Sequence, residues 1–156
     1  MTSNFELLDI AESYGIKNLN VIMNDQLQNF KFKTGYYVVN LEDSDNGGTH
    51  WVSVIVENGR ALYFDSFGVV PSLEVEEWLH KSKYKYVFNN RIIQHIDSIA
   101  CGYFALGLII YVILEKTKPL YEVVNDYLNL FDLNDYKKND KIIMNLFKTR
   151  FKILKQ

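Results

Sequence analysis

The spacing of apolar residues changes several times along the chain, and each change of period marks a new element. In NFELLDIAESYG, residues 4–15, the apolar positions Phe5, Leu8 and Ala11, with Leu7 and Ile10 between them, recur at helical spacing, and Gly15 supplies a stop. TGYYVVNLED, residues 34–43, reads as a β-strand that runs into the turn-rich DSDNGG. In THWVSVIVENGRALYFDSFG, residues 49–68, Val52, Val54 and Val56 alternate with Ser53 and Ile55, Asn58-Gly59 turns the chain, and residues 61–64 run back as the second strand of a hairpin. SLEVEEWLHKSK, residues 72–83, predicts an amphipathic helix opened by Ser72, with carboxylates from Glu74 to Glu77 in the turns where they suit the helix dipole. KYVFNNRIIQHI, residues 85–96, predicts another strand. Residues 100–114 then run almost unbroken in apolar residues and predict a buried helix, too short to cross a bilayer comfortably. From Leu120 onward the pattern is helical and turns basic. A helix, several strands and then a buried helix is the order of an α+β domain.

Bulk properties narrow the picture without changing it. A chain of 156 residues suits a single domain, residues 1–156, with about 120–156 as a basic, helical C-terminal extension. A formal net charge of −2 gives no whole-chain attraction to nucleic acid or anionic lipid. The single cysteine excludes an internal disulfide and leaves no thiolates for a structural zinc site, so neither metal nor cofactor is expected. A reducing compartment is the natural setting. The polar, acidic start of the sequence has no signal-peptide pattern, and no membrane association is expected.

That one cysteine, Cys101, stands in QHIDSIACGYF at the head of the buried helix. Taken alone, it is either a small buried hydrophobe or a nucleophile. Nucleophilic chemistry needs a base, a group to orient the base, and donors for an oxyanion. A helix N-terminus, with its unpaired N–H groups, already favours a thiolate. Of the three histidines, His80 lies among lysines on the amphipathic helix. His95 follows Gln94 on the predicted strand and would face away from it. His50 opens the hairpin after Gly47-Gly48 and before Trp51, and is the best candidate for the base. Asp65 ends the return strand, so a tight hairpin brings it toward His50, and a carboxylate at the end of ALYFD requires a partner if buried.

GGTHWVSVIV, then LYFDSFG, then Gln94 and Cys101 seven residues apart in Q-x6-C-G-x-F, resemble the adenain-type cysteine proteases. These are the maturation proteases of adenoviruses and their relatives in virophages, large DNA viruses and Polinton-like mobile elements. Residues 22–51 resemble the virophage and mobile-element branch in particular, and the likeness covers about residues 5–112. A His-Trp pair alone would be weak; the four motifs in this order are specific.

The resemblance implies an adenain/Ulp-type fold: a central, mainly antiparallel sheet with helices on both sides and the nucleophile at the N-terminus of a buried helix. It implies a thiol protease that cleaves capsid or virion precursor polypeptides at glycine-containing sites, in the host cytoplasm or viral factory and packaged in the virion. Cys101 matches the nucleophile, His50 the general base, Asp65 the orienting acid and Gln94 the side-chain oxyanion donor. Trp51 and Gly102 are expected beside the substrate cleft, Gly102 leaving room for the incoming acyl group and Trp51 with the loop after Gly68 walling a narrow tunnel. The related deSUMOylating and deubiquitinating isopeptidases are the nearest alternative, but they usually carry an aspartate where Ala100 precedes Cys101 here. A non-catalytic capsid or scaffold protein is a third reading, disfavoured because Cys, His and Gln are all present.

Adenovirus proteases are activated by a peptide linked through a second cysteine, which this chain lacks, so a disulfide-linked activator is excluded. The tail is expected to take its place in cis, packing Ile143, Phe147 and Phe151 against the domain and holding the His50 strand in register. Two charge features complete the expectations. Glu42, Asp43 and Asp45 are placed to steer basic substrate segments, and the tail lysines to make weak, salt-sensitive contact with DNA.

Overall fold

The computed structural model describes residues 2–42, 50–82 and 84–155. The expected turn at residues 43–48, with Asp43, Asp45 and the Gly47-Gly48 pair, lies outside the described residues.

The helix at the start is α1, Asn4–Ser13, closed at its head by a capping box in which Ser3 and Glu6 satisfy each other's backbone N–H groups. Gly15 ends it with φ +76°, the left-handed turn that glycine adopts without penalty. Among the described residues five strands follow: β1 Leu19–Met23, β2 Gly35–Asn40, β3 Trp51–Glu57, β4 Arg60–Phe64 and β5 Lys85–Phe88. They form one sheet in the order β1-β2-β3-β4-β5, antiparallel in the middle and parallel at both edges. The β3–β4 hairpin turns at Asn58 and Gly59, with φ of 51° and 72°, as the Asn-Gly pair requires. Helix α2, Leu73–Lys81, begins at Ser72, whose hydroxyl accepts from the Val75 N–H.

Both faces of the sheet are covered, which explains why β3 is apolar at nearly every position. Val52, Val54 and Val56 join Tyr37, Val39, Ala61 and Tyr63 under α2, packing on Val75, Trp78 and Leu79. Trp51 and Ile55 point the other way, with Val38, Leu62 and Phe64, into a larger core built on α3, Cys101–Leu114. This helix is apolar on all sides because it is enclosed on all sides. No helix among the described residues is long and apolar enough to cross a membrane. The tail comprises α4, Leu120–Leu128, and α5, Asn139–Lys148, followed by a 3-10 turn. Val123, Tyr127, Ile143, Phe147 and Phe151 are buried in the same core as α3.

One element was not foreseen and one expectation is corrected. Strand β1 and the 3-10 turn at Asn24–Asn29 were not among the expected elements; β1 is a short parallel edge strand of five residues between Asn18 and Asn24. The strand expected over residues 85–96 ends at Phe88, and residues 89–100 form no helix or strand. There Asn89 turns its side chain onto the backbone of Asp65, and the N–H groups of Ile93 and Gln94 both donate to Ser66 O, at 2.9 and 3.1 Å, so they are taken out of any ladder.

Gly107 is where the tail closes on α3. A methyl group there would lie 2.7 Å from Ile143 Cδ1 and 2.8 Å from the Tyr127 hydroxyl, which itself donates to Phe104 O at 2.8 Å. Gly107→Ala should therefore destabilise the protein by about 2 kcal/mol, as overpacking does. A circular-dichroism melt should show Tm lowered by roughly 4–8 °C.

Candidate active site

Each candidate group is delivered by the end of a buried element. His50 immediately precedes β3, Asp65 immediately follows β4, and Cys101 is the first residue of α3. Since β3 and β4 are antiparallel neighbours, with Ser53 opposite Phe64, the start of one lies beside the end of the other. The result is a hydrogen bond of 2.7 Å between His50 Nε2 and Asp65 Oδ1.

Asp65 is almost fully buried, yet its charge is provided for. The same Oδ1 accepts the Phe67 N–H at 2.8 Å. Asn89 clamps the Asp65 backbone from both sides, its Oδ1 accepting the Asp65 N–H at 2.9 Å and its Nδ2 donating to Asp65 O at 2.8 Å. Phe67 then stacks on the His50 ring, with centroids 4.8 Å apart and planes inclined by 30°. The imidazole is held at one nitrogen and across one face.

With Nε2 committed to Asp65, Nδ1 is the ring nitrogen left for a second partner, and Cys101 lies near enough to raise the proton affinity of the ring. Burial by itself would push the imidazolium pKa down. Hydrogen bonds to Asp65 and Cys101, together with their charges, more than offset it and raise His50 to about 9. The pair is therefore built to hold a protonated imidazole beside a sulfur. Ala100 offers no side-chain cap to α3, so the first N–H groups of the helix are left for the sulfur and for whatever binds beside it.

Gln94 is buried, and its amide has one orientation. Its Nε2 lies 3.0 Å from Ser98 O, which can only accept, and its Oε1 takes the Ser66 hydroxyl proton. One of its two N–H groups is spent on Ser98, and the other remains to donate. The carboxylate, imidazole, thiol and uncapped helix N-terminus together can form a thiolate, attack a carbonyl and bind the oxygen that becomes negative.

Trp51 and Gly102 both meet the N-terminal segment. Trp51 is 2% exposed and its indole donates to Thr2 O at 2.8 Å. A methyl at Gly102 would meet Thr2 Oγ1 at 3.0 Å and Leu7 Cδ2 at 3.1 Å. The Trp51 indole bonds the backbone of Thr2, and the absent side chain of Gly102 leaves room for Thr2 and Leu7. His95 sits in the irregular segment, its Nδ1 accepting the Asp97 N–H at 3.2 Å, and His80 packs on Tyr86. Sequence reasoning missed Ser66, Phe67, Asn89 and Ser98. The Asn89-Asn90 pair inside an apparent strand was the available signal, since asparagine is disfavoured there.

No protein-family model and no curated protein matches the sequence. Among solved structures, two of the ASFV pS273R protease superpose on 93% and 94% of this chain, at 13% and 15% identity, each with a TM-score of 0.50. This chain covers 65% and 66% of that protease's length. The SUMO protease Ulp1 superposes on 93% of this chain and 76% of its own, at 13% identity and a TM-score of 0.42. The chain has the mixed α/β fold of the ASFV pS273R protease, with a five-stranded sheet among the described residues lying between helices.

The raised pKa of His50 has a readable consequence. Because about 9 lies above the free-histidine value of 6.5, the stability it contributes is complete below pH 6.5 and is lost as the pH rises through 9. An NMR titration should place the His50 midpoint near 9 in the native protein and clearly lower in Asp65→Asn. An unchanged midpoint in Asp65→Asn would mean that the carboxylate does not hold the proton.

Proposed function

We propose that this protein is a cysteine endopeptidase that matures viral capsid or virion precursor polypeptides by cutting at glycine-containing sites. The observation that carries the proposal is the His50–Asp65 bond of 2.7 Å, with Cys101 at the head of α3 within electrostatic reach of the same imidazole.

In this reading the Cys101 thiolate attacks the scissile carbonyl carbon, and the electron pair of the C=O bond moves to oxygen. The free N–H of Gln94 and the backbone N–H of Cys101 receive that oxyanion. The tetrahedral intermediate collapses, the C–N bond breaks, and the His50 imidazolium gives its proton to the departing amine. Water, deprotonated by the now neutral His50, attacks the thioester and releases the acid, which returns the thiol. Asp65 holds the imidazole in orientation throughout and bonds to no substrate atom.

The burial of Cys101, which is 2% exposed, supports the preference for glycine. A sulfur so enclosed is reached most easily by a backbone with no side chain beside the scissile bond. Beyond the site, Val69 and Val70 are 55% and 58% exposed on the loop after Gly68 and offer an apolar wall to flanking residues. Action in the host cytoplasm or viral factory, with packaging in the virion, belongs to the same proposal. So does weak DNA contact, for which Lys141, Lys148 and Lys152 remain exposed while Arg150 pairs with Glu115 and Lys155 covers the Tyr14 ring.

Peptides and precursor polypeptides co-expressed with the enzyme provide the test. Cys101→Ala should abolish new termini, lowering kcat/KM by at least about 10⁴-fold in a folded protein. Gln94→Ala should lower kcat by about 10²–10³-fold. His50→Ala should approach Cys101→Ala in severity, with Asp65→Asn milder. Mass spectrometry of the new termini should find glycine beside the cut. Cleavage that survives in Cys101→Ala would overturn the proposal, and reaction with a glycyl-ubiquitin-like thiol probe without any peptide cleavage would assign an isopeptidase instead.

A further inference from the structure

We propose that Asp140, in the first turn of α5, is a positioning residue for the oxyanion donor Gln94 and acts through Ser98; this rests on the peptidase reading above. Residues 89–100, which carry Gln94 to the site, form no helix or strand. Two of their apolar side chains, Ile96 and Ile99, are 80% and 64% exposed, so burial does little to hold this part of the segment. Its course is set by polar clamps.

One clamp is Ser66, which takes the backbone N–H groups of Ile93 and Gln94 on its carbonyl and donates its hydroxyl to Gln94 Oε1. The others come from the start of α5. Asn139 is fully buried, and its amide is spent on donors to Ile93 O at 2.7 Å and Asp132 O at 2.8 Å and on acceptance of the Asp132 N–H at 2.8 Å. It therefore grips the residue just before Gln94. Asp140 Oδ1 accepts the Ser98 hydroxyl at 2.7 Å. The same Ser98 oxygen accepts the Ala100 N–H at 3.1 Å, and Ser98 O holds Gln94 Nε2 at 3.0 Å.

Ser98 thus joins three things: the head of Gln94, the residue preceding Cys101 and a carboxylate on the tail. Its hydroxyl has one proton, and Asp140 takes it, which fixes the lone pair that receives Ala100. Without that acceptor the hydroxyl is free to rotate, and both the carbonyl that orients Gln94 and the backbone leading to Cys101 lose a fixed point. The tail was expected to support the strand of His50. Two of its polar anchors, Asn139 and Asp140, run to the segment of Gln94, while Ile143, Phe147 and Phe151 are buried in the core with α3.

The effect on catalysis should exceed the effect on folding, because a donor displaced by 1 Å costs far more rate than a half-exposed hydrogen bond costs stability. The test uses the full chain with Asp140→Ala, Asp140→Asn and Ser98→Ala. Three quantities are measured: steady-state peptide hydrolysis, the rate of Cys101 alkylation by iodoacetamide, and the NMR signals of the Gln94 side-chain amide, assigned with Gln94→Ala. Asp140→Ala should lower kcat by about 10- to 100-fold, short of deleting the donor itself, with KM within about threefold. Alkylation, which needs the thiolate but no oxyanion donor, should stay within about twofold. The Gln94 amide signals should shift. Asp140→Asn keeps an acceptor oxygen and should recover most of the rate, and Ser98→Ala should reproduce the loss should Asp140→Ala fail to fold. Unmoved Gln94 signals in the folded variants overturn the proposal whatever the activity, as does alkylation that falls in step with kcat. Gln94 signals that shift in the variants while the wild-type protein cleaves no peptide would leave the positioning intact and remove the peptidase reading instead.

Discussion

A buried carboxylate at the end of a strand is the constraint around which this molecule is arranged. Asp65 follows four buried residues of β4 and is itself 2% exposed, so its charge must be met inside the protein. His50 meets it at one oxygen, the Phe67 N–H adds a second donor, and Asn89 ties the backbone on either side. Each partner brings a different part of the chain. His50 comes from the head of β3, Phe67 from the turn after β4, and Asn89 from the end of β5. Satisfying the carboxylate and the backbone of this one residue thus fixes three segments and leaves an imidazole with a raised proton affinity near Cys101.

The second organising element is α3. A helix enclosed on every side cannot shift without disturbing the whole core, so a sulfur at its first residue is held as firmly as the core itself. Two glycines show how closely its neighbours approach. Gly102 admits Thr2 and Leu7, and Gly107 admits Ile143 and Tyr127. The N-terminal segment and the tail are therefore not appendages to the site. They close the two approaches to the helix that carries it, and Tyr14 links them directly by donating its hydroxyl to Phe147 O.

Between the strands and α3 the chain abandons regular structure for twelve residues, 89–100. Irregular backbone next to a buried site needs its polar groups satisfied by other means. Ser66, Ser98 and Asn139 supply those means, and the same hydrogen bonds that satisfy the backbone orient the Gln94 amide. Structural support and chemistry draw on one set of contacts here.

Much of this was legible in the residues. The α1 stop at Gly15, the Asn58-Gly59 turn, the Ser72 cap and the buried character of residues 101–114 follow from local rules of backbone and burial, which act over a few residues and leave their period in the sequence. The pairing of His50 with Asp65 was legible for the same reason, because a tight hairpin makes neighbours of its strand ends. The parallel edge strand β1, the early end of β5, the placement of Trp51 and Gly102 against the N-terminal segment, and the grip of Asn139 and Asp140 on the Gln94 segment were decided only in three dimensions. In each case the deciding contact joins residues far apart in the chain. A polar side chain records in its sequence neighbourhood that it needs a partner, but which partner it finds depends on how the sheet and α3 bring distant segments together.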